Sequence, residues 1–149
     1  MIEIRRILVA VDFSEHTEAA VEVARDFAQK SGAELHVVHA FELASLLVSP
    51  YQVAVPDLYL VENRNAVGRR LEELVERLRD SGITAHPHLT EAPAAPAIAR
   101  LAEEIGADLI VMGTRGTTGL EHLLLGSVAE RTLRLAPCSV LTVKVPEDS

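Results

Sequence analysis

Gly113, Gly116, Gly126 and Ser127 follow an apolar run, Asp108–Met112, and lead into a helical pattern that starts near Ser127. A glycine-bearing loop between a strand's carboxyl end and a helix's amino end suits an anion. Glycine lets the backbone approach a phosphate closely, and the N–H groups of the first helical turn point at it. The chemistry on offer is binding of a nucleotide or another phosphorylated ligand. The spacing, G-x2-G-x9-G-S, is not a Walker A motif, because Val128 rather than a lysine pairing follows the last glycine and Ser127. It is not the dinucleotide G-x-G-x-x-G either. Arg115 is the only Lys or Arg between Gly113 and Ser127, which makes it the candidate phosphate partner. Thr117 and Thr118 add loop hydroxyls, and Gly119 reads as a turn glycine. Ser127 serves either a phosphate or the helix it opens, and both roles use the same helix end.

Other chemistry-bearing residues are weaker signals. Asp12 ends an apolar run, Ile7–Val11, and can orient a ligand, hold a metal or stabilise the helix that follows. His86 and His88 stand two apart on a strand and share a face. Nothing near them in sequence completes a set of three zinc ligands, so a solvated or satisfied pair is expected. His36 and His39 fall on opposite faces of their strand. Cys138, the single cysteine, reads as packing. The helix bearing Arg69, Arg70, Glu72, Glu73, Glu76, Arg77 and Arg79 is a mixed-charge solvent face.

The elements that position these residues alternate between strand and helix. Ser14 is placed to cap a first helix whose buried face is Ala20, Val23, Ala24, Phe27 and Ala28, ended by Gly32. Leu35–Phe41 is the second strand, and residues 42–56 read as a long loop. A second helix carries Val67, Leu71, Leu74, Val75 and Leu78 and ends near Gly82. Ile83–Thr90 is a third strand, placed at a sheet edge by Pro87. Pro93 and Pro96 fit only the first turn of the third helix, which buries Ile98, Leu101, Ala102 and Ile105 before Gly106. The fourth helix presents Val128, Ala129, Thr132, Leu133 and Ala136 to the core, and Ser139–Val145 is the fifth strand. Such alternation means parallel strands, right-handed crossovers and helices on both faces. In open sheets of this kind ligands bind beyond the carboxyl ends of the strands, where strand order reverses. If the first and fourth strands are neighbours there, Asp12 and Gly113 face one crevice.

Composition narrows the function. The 149 residues are 48% hydrophobic but only 3% aromatic, with no Trp, so the core is aliphatic, as a sheet buried on both faces requires. The formal charge of −8, with 14 Lys plus Arg, argues against nucleic acid and anionic membrane surfaces as partners. No apolar run approaches the ~18 residues that span a bilayer. The start leads straight into a strand without a signal-peptide pattern, and a lone cysteine cannot form an internal disulfide, so a cytoplasmic location is expected.

The chain resembles the universal stress protein family, in its nucleotide-binding branch, over nearly all its length. The resemblance rests on Ile7–Ser14, on Leu35–Ala40, and most specifically on Ala107–Gly116 through Leu125–Glu130 to Pro137–Lys144. It implies a single-domain α/β fold over residues 1–149, with an open parallel five-stranded sheet in order 3-2-1-4-5 and helices on both faces. It also implies a homodimer and ATP bound at the carboxyl edge of the sheet. By the family's pattern, Ala10, Val11 and Asp12 and the backbone near Ala40 meet the adenine side. Met112 and Gly113 lie near the base and ribose. Arg115, Gly116, Gly126, Ser127 and Val128 surround the phosphates. The turn Glu91–Pro93 departs from the Gly-x-Pro common in relatives.

The expectation is an adenine-nucleotide binder, ATP with Mg²⁺, acting as a stress-response or signalling module with at most slow hydrolysis. Neither Glu121 nor His122 is obviously placed as a base. The alternatives are an ATPase or phosphotransferase, or a dimeric partner-binding module with an empty crevice. The homodimer is expected to form through the fifth strand, an edge strand with Val140, Leu141 and Val143 and no blocking charge before Lys144.

Overall fold

The computed structural model describes residues 2–41, 57–115 and 125–145, with the side chains of residues 57–60 outside that description. Among the described residues, strand and helix alternate: β1 (Arg6–Ala10), α1 (Glu15–Ser31), β2 (Glu34–Phe41), α2 (Asp57–Asp80), β3 (Ala85–Glu91), α3 (Ala94–Ile105), β4 (Leu109–Gly113), α4 (Ser127–Leu135) and β5 (Ser139–Val143). The five strands form one sheet in order β3-β2-β1-β4-β5, parallel at every pairing. Strand order reverses between β1 and β4. Asp108 fixes that pairing at its start, where Oδ2 accepts from the N–H groups of Arg5 (2.8 Å) and Arg6 (3.0 Å).

Alternation along each strand divides the core in two. Ile7, Val9, Leu35, Val37 and Val111 face α1 and α2, while Leu8, Val38, Ile110 and Met112 face α3 and α4. Ile7 and Leu8 are both fully buried, which shows that the sheet is covered on both sides. Each such side chain contributes about 1.5–3 kcal/mol of burial. Pro87 pairs with Val37 in β3, the edge strand, where a missing N–H costs no inner ladder bond. Pro93 caps α3 and Pro96 lies in its first turn, before any N–H is needed for an intrahelical bond. α1 and α3 end on Gly32 (φ 74°) and Gly106 (φ 67°) in the left-handed conformation.

Several expectations need correction. Ser14 occupies the cap position of α1 but makes no side-chain cap bond, because its hydroxyl turns back to Asp12. Phe27 is exposed because the buried stripe of α1 centres on Thr17, Ala20, Ala24 and Ala28, leaving Phe27 at its margin. In α4 only Ala129 and Thr132 are fully buried. Val128 and Leu133 are 41% and 45% exposed, since the narrow stripe of a short helix leaves both at its flanks. The expected loop at 42–56 lies outside the described residues.

A candidate nucleotide crevice at the switch point

β1 and β4 pair from Ile7 with Leu109 to Val9 with Val111, and their carboxyl ends deliver Asp12 and Gly113 to one cavity of about 110 Å³. Of the residues singled out in the sequence, Ala10, Val11, Asp12, Ala40, Met112, Gly113, Arg115, Gly126 and Val128 line it. Ser127 does not line it, although it is the first helical residue of α4. Gly116, Gly119, Thr117, Thr118, Glu121 and His122 lie outside the described residues. The described walls enclose less than the ~300–1,000 Å³ usual for small-molecule sites.

The inner wall is aliphatic. Val38, Ile98 and Met112, all buried, back the cavity together with Ala94 and Ala129. The mouth is main chain. A Cβ at Gly113 would stand 3.1 Å from the Cβ and carbonyl of His16 and 3.2 Å from the carbonyl of Arg115. A Cβ at Gly126 would stand 3.1 Å from the Thr114 carbonyl and 3.4 Å from the Arg115 Cα. Gly126 therefore matters for close approach, since its φ of −68° is open to any residue. Its N–H donates to the Thr114 carbonyl, and the Thr114 N–H donates to Val143 (3.1 Å), so one short segment ties α4 to β5. The first intrahelical bond of α4 runs from the Glu130 N–H to the Gly126 carbonyl. The N–H groups of Ser127, Val128 and Ala129 precede it and form the anion-ready end of the helix.

Asp12 is held by its own helix start. Its Oδ1 accepts from the Ser14 N–H (2.9 Å), the Ser14 hydroxyl (2.6 Å) and the Thr17 hydroxyl, while its N–H donates to Thr17 Oγ1 (3.0 Å). Thr17, which lines the cavity and was not singled out in the sequence, fixes the carboxylate's orientation. An Asp followed five residues later by Thr at a strand-to-helix turn is the signal that was available. Between them Phe13 holds φ 64°, a left-handed conformation unusual for a bulky side chain. Its ring meets His39 at 5.0 Å and lies under the Arg70 guanidinium at 4.4 Å, and His39 Nδ1 in turn donates to the Val11 carbonyl at 2.7 Å. These contacts support the strained turn that aims Asp12. The departing turn is also tied down, with Glu91 paired to Arg64 on α2.

Two other readings are tested by geometry. Burial, reinforced by Asp108, pushes the Cys138 thiol above its ordinary pKa, which keeps it protonated and fits packing rather than reactivity. Of the histidine pair, His86 is half-exposed and His88 is satisfied by a hydrogen bond to His36. The register sets His36 opposite His86, and His36 Nδ1 lies 2.9 Å from His88 Nε2, with Glu34 beside them. That group sits on the α3 side of the sheet, near the amino end of β2, away from the crevice.

Among the described residues, no helix is long and apolar enough to cross a membrane. Residues 3–144 match the Universal stress protein family. A universal stress protein of Thermus aquaticus is 40% identical over 94% of this chain and 98% of its own. In structure the chain is similar to the hypothetical protein MJ0577, with a TM-score of 0.86 and 25% identity over 98% of this chain and 99% of that one. It is also similar to the universal stress protein from Archaeoglobus fulgidus in complex with dAMP, with a TM-score of 0.66 and 25% identity over 95% and 98%. The chain belongs to the universal stress protein family.

Proposed function

We propose that this chain binds an adenine nucleotide, ATP accompanied by Mg²⁺, at the carboxyl edge of β1 and β4. It then acts in the cytoplasm as a nucleotide-responsive stress or signalling module. The observation that carries the reading is the joining of an aliphatic slot to an open helix end in one cavity. Val38, Ile98 and Met112 suit a flat apolar base, and the N–H groups of Ser127–Ala129 suit phosphates. Ala10, Val11, Asp12, Ala40 and Gly113 flank the base and ribose. Arg115, Gly116, Gly126, Ser127 and Val128 surround the phosphates, with Arg115 as the cation. The dAMP complex of the Archaeoglobus relative supports an adenine ligand. A homodimer through β5 is part of this reading, because β5 is an edge strand whose residues from Val140 to Val143 are only partly buried.

The test is direct. Small molecules extracted from freshly purified protein are identified by mass spectrometry, and the stripped protein is titrated calorimetrically with ATP and Mg²⁺. Adenine nucleotide in the extract and a saturable heat are expected. An empty extract together with no heat at millimolar ATP would overturn the proposal.

A further inference from the structure

We propose that Glu34, His36 and His86 form a binding site for a divalent transition-metal ion of the zinc class, which clips the edge strand β3 to β2. The register of the two strands creates it. His36 pairs with His86, and alternation puts Glu34, His36, His86 and His88 on one face. One ligand atom from each of Glu34, His36 and His86 lies within 4.8 Å of the others. Glu34 Oε2 is 3.3 Å from His36 Nε2 and 3.8 Å from His86 Nε2. Metal–ligand bonds of ~2.0–2.1 Å at tetrahedral angles separate donors by roughly 3.4 Å, so small side-chain rotations complete the cage. Two imidazoles and one carboxylate are the ligand types zinc accepts, and they leave a fourth position for water.

The surroundings fit a metal better than a chance meeting of polar groups. His36 is only 8% exposed, yet both its ring nitrogens are engaged. Without metal the Glu34 carboxylate accepts from His36 Nε2–H; an ion would displace that proton, leaving Nδ1–H to donate to His88 Nε2. This is the outer hydrogen bond that orients metal-ligating imidazoles. Arg6 and Glu104 supply opposing charges nearby, Arg6 acting on His36 and Glu104 on His88. Ala40 at the crevice lies six residue steps along β2 from Glu34, about 20 Å at ~3.3 Å per residue. The metal therefore serves the sheet edge, where Pro87 forgoes a backbone donor, rather than the nucleotide.

The experiment uses the full chain without a polyhistidine tag, stripped with chelator and titrated with Zn²⁺ against a chromogenic competitor. One equivalent of Zn²⁺ is expected. Glu34→Gln and His86→Gln each lower the affinity at least tenfold, and His88→Leu, through the outer bond, lowers it roughly 10- to 100-fold. Substituted Co²⁺ gives the intense visible bands of a four-coordinate ion, and a fixed concentration of Zn²⁺ raises the thermal midpoint of the parent more than that of any of these variants. Both Glu34 and His86 have half-exposed side chains, so each variant checks the other should one misfold. The proposal is overturned if the parent takes up no Zn²⁺ at micromolar concentrations. It is equally overturned if either folded variant keeps parent affinity, or if Cys138→Ser abolishes binding instead. None of these readouts depends on nucleotide.

Discussion

The two ends of this sheet make sites by opposite means. At the carboxyl end of β1 and β4 the crevice is formed by main chain and small residues, and its mouth exists because Gly113 and Gly126 carry no side chain. At the amino end of β2 and β3 the cluster is formed by four long polar side chains that meet across strands. The first tolerates changes of identity along its apolar wall but no added volume at its mouth. If the second holds the proposed ion, it should tolerate changes of volume at its rim but no change of donor atom. Substitutions that cripple one end should therefore leave the other intact.

The largest expected effect is at Gly126. Any Cβ there meets the Thr114 carbonyl and the Arg115 Cα before it meets a phosphate, so Gly126→Val displaces the segment that carries Arg115. We expect ATP affinity to fall at least ~100-fold, about 2.7 kcal/mol, while Zn²⁺ affinity stays at the parent value. Calorimetry with each ligand checks both arms. Parent-like ATP binding would mean that the phosphates do not sit at this helix end.

Next in size is the β5 edge. The Val143 carbonyl accepts from the Thr114 N–H, so by alternation Leu141 and Val143 bond β4 through their backbone while the N–H of Thr142, opposite Met112, points out from the edge, and proline at Thr142 removes that outward donor. Thr142→Pro should convert a dimer of twice the 16.1 kDa chain mass into a monomer by light scattering. Because the Thr114 N–H donates to Val143, nucleotide affinity should also weaken several-fold while the metal cluster is unmoved. A parent that is already monomeric at tens of micromolar, or a folded variant that stays dimeric, would refute the edge as the dimer surface.

The same contrast explains what could be read without coordinates. The crevice was legible because its parts are local: a first strand that runs out just before Asp12, a fourth that ends in Gly113, and a glycine immediately before Ser127. The strand order came from the resemblance, and the edge position of β3 followed from Pro87 alone. Thr17 was missed because its hydroxyl reaches back across a turn to Asp12, a contact that periodicity does not encode. The meeting of the β3 histidines with His36 and Glu34 was not legible, because His36 and His88, 52 positions apart, come together only through the register of β2 on β3. Val128 was assigned both to the core and to the phosphate side, because an apolar residue at helical spacing lines a crevice as readily as it fills a core.

A smaller effect separates aiming from binding at the crevice. Thr17→Val removes a donor to the Asp12 carboxylate and an acceptor for the Asp12 N–H without changing side-chain size. Losing a hydrogen bond to a charged group costs about 1.5–3 kcal/mol, and part of that falls on stability. We expect roughly tenfold weaker ATP binding, 1.4 kcal/mol, with the urea midpoint also lowered. A variant whose stability falls but whose ATP affinity matches the parent would show that the orientation of Asp12 does not matter to the ligand.

The smallest effect belongs to the other end and is read in chelator, so that no metal competes with protons. Burial lowers the pKa of His36 and of His88 from 6.5, and His86 adds to this in both. Glu34 opposes the shift on His36 and Glu104 on His88, while Arg6 reinforces it on His36. Between each lowered folded-state value and the unfolded value of 6.5, the unfolded chain binds more protons than the folded one. Unfolding free energy must therefore rise with pH across that window, and stability must be lost as the solution is acidified from 6.5. Below the folded-state values the loss is complete and the histidine contribution becomes flat. Urea midpoints taken in steps downward from pH 7.5 should fall for the parent, and fall less steeply for His88→Gln, which removes one of the two titrating rings. Carboxylates act lower in the acid range and act equally in both proteins, so the difference between the two slopes isolates the cluster. Equal slopes would mean that the rings of β2 and β3 are not burdened by burial in solution, and the side-chain end of the sheet would lose its claim to be a built site.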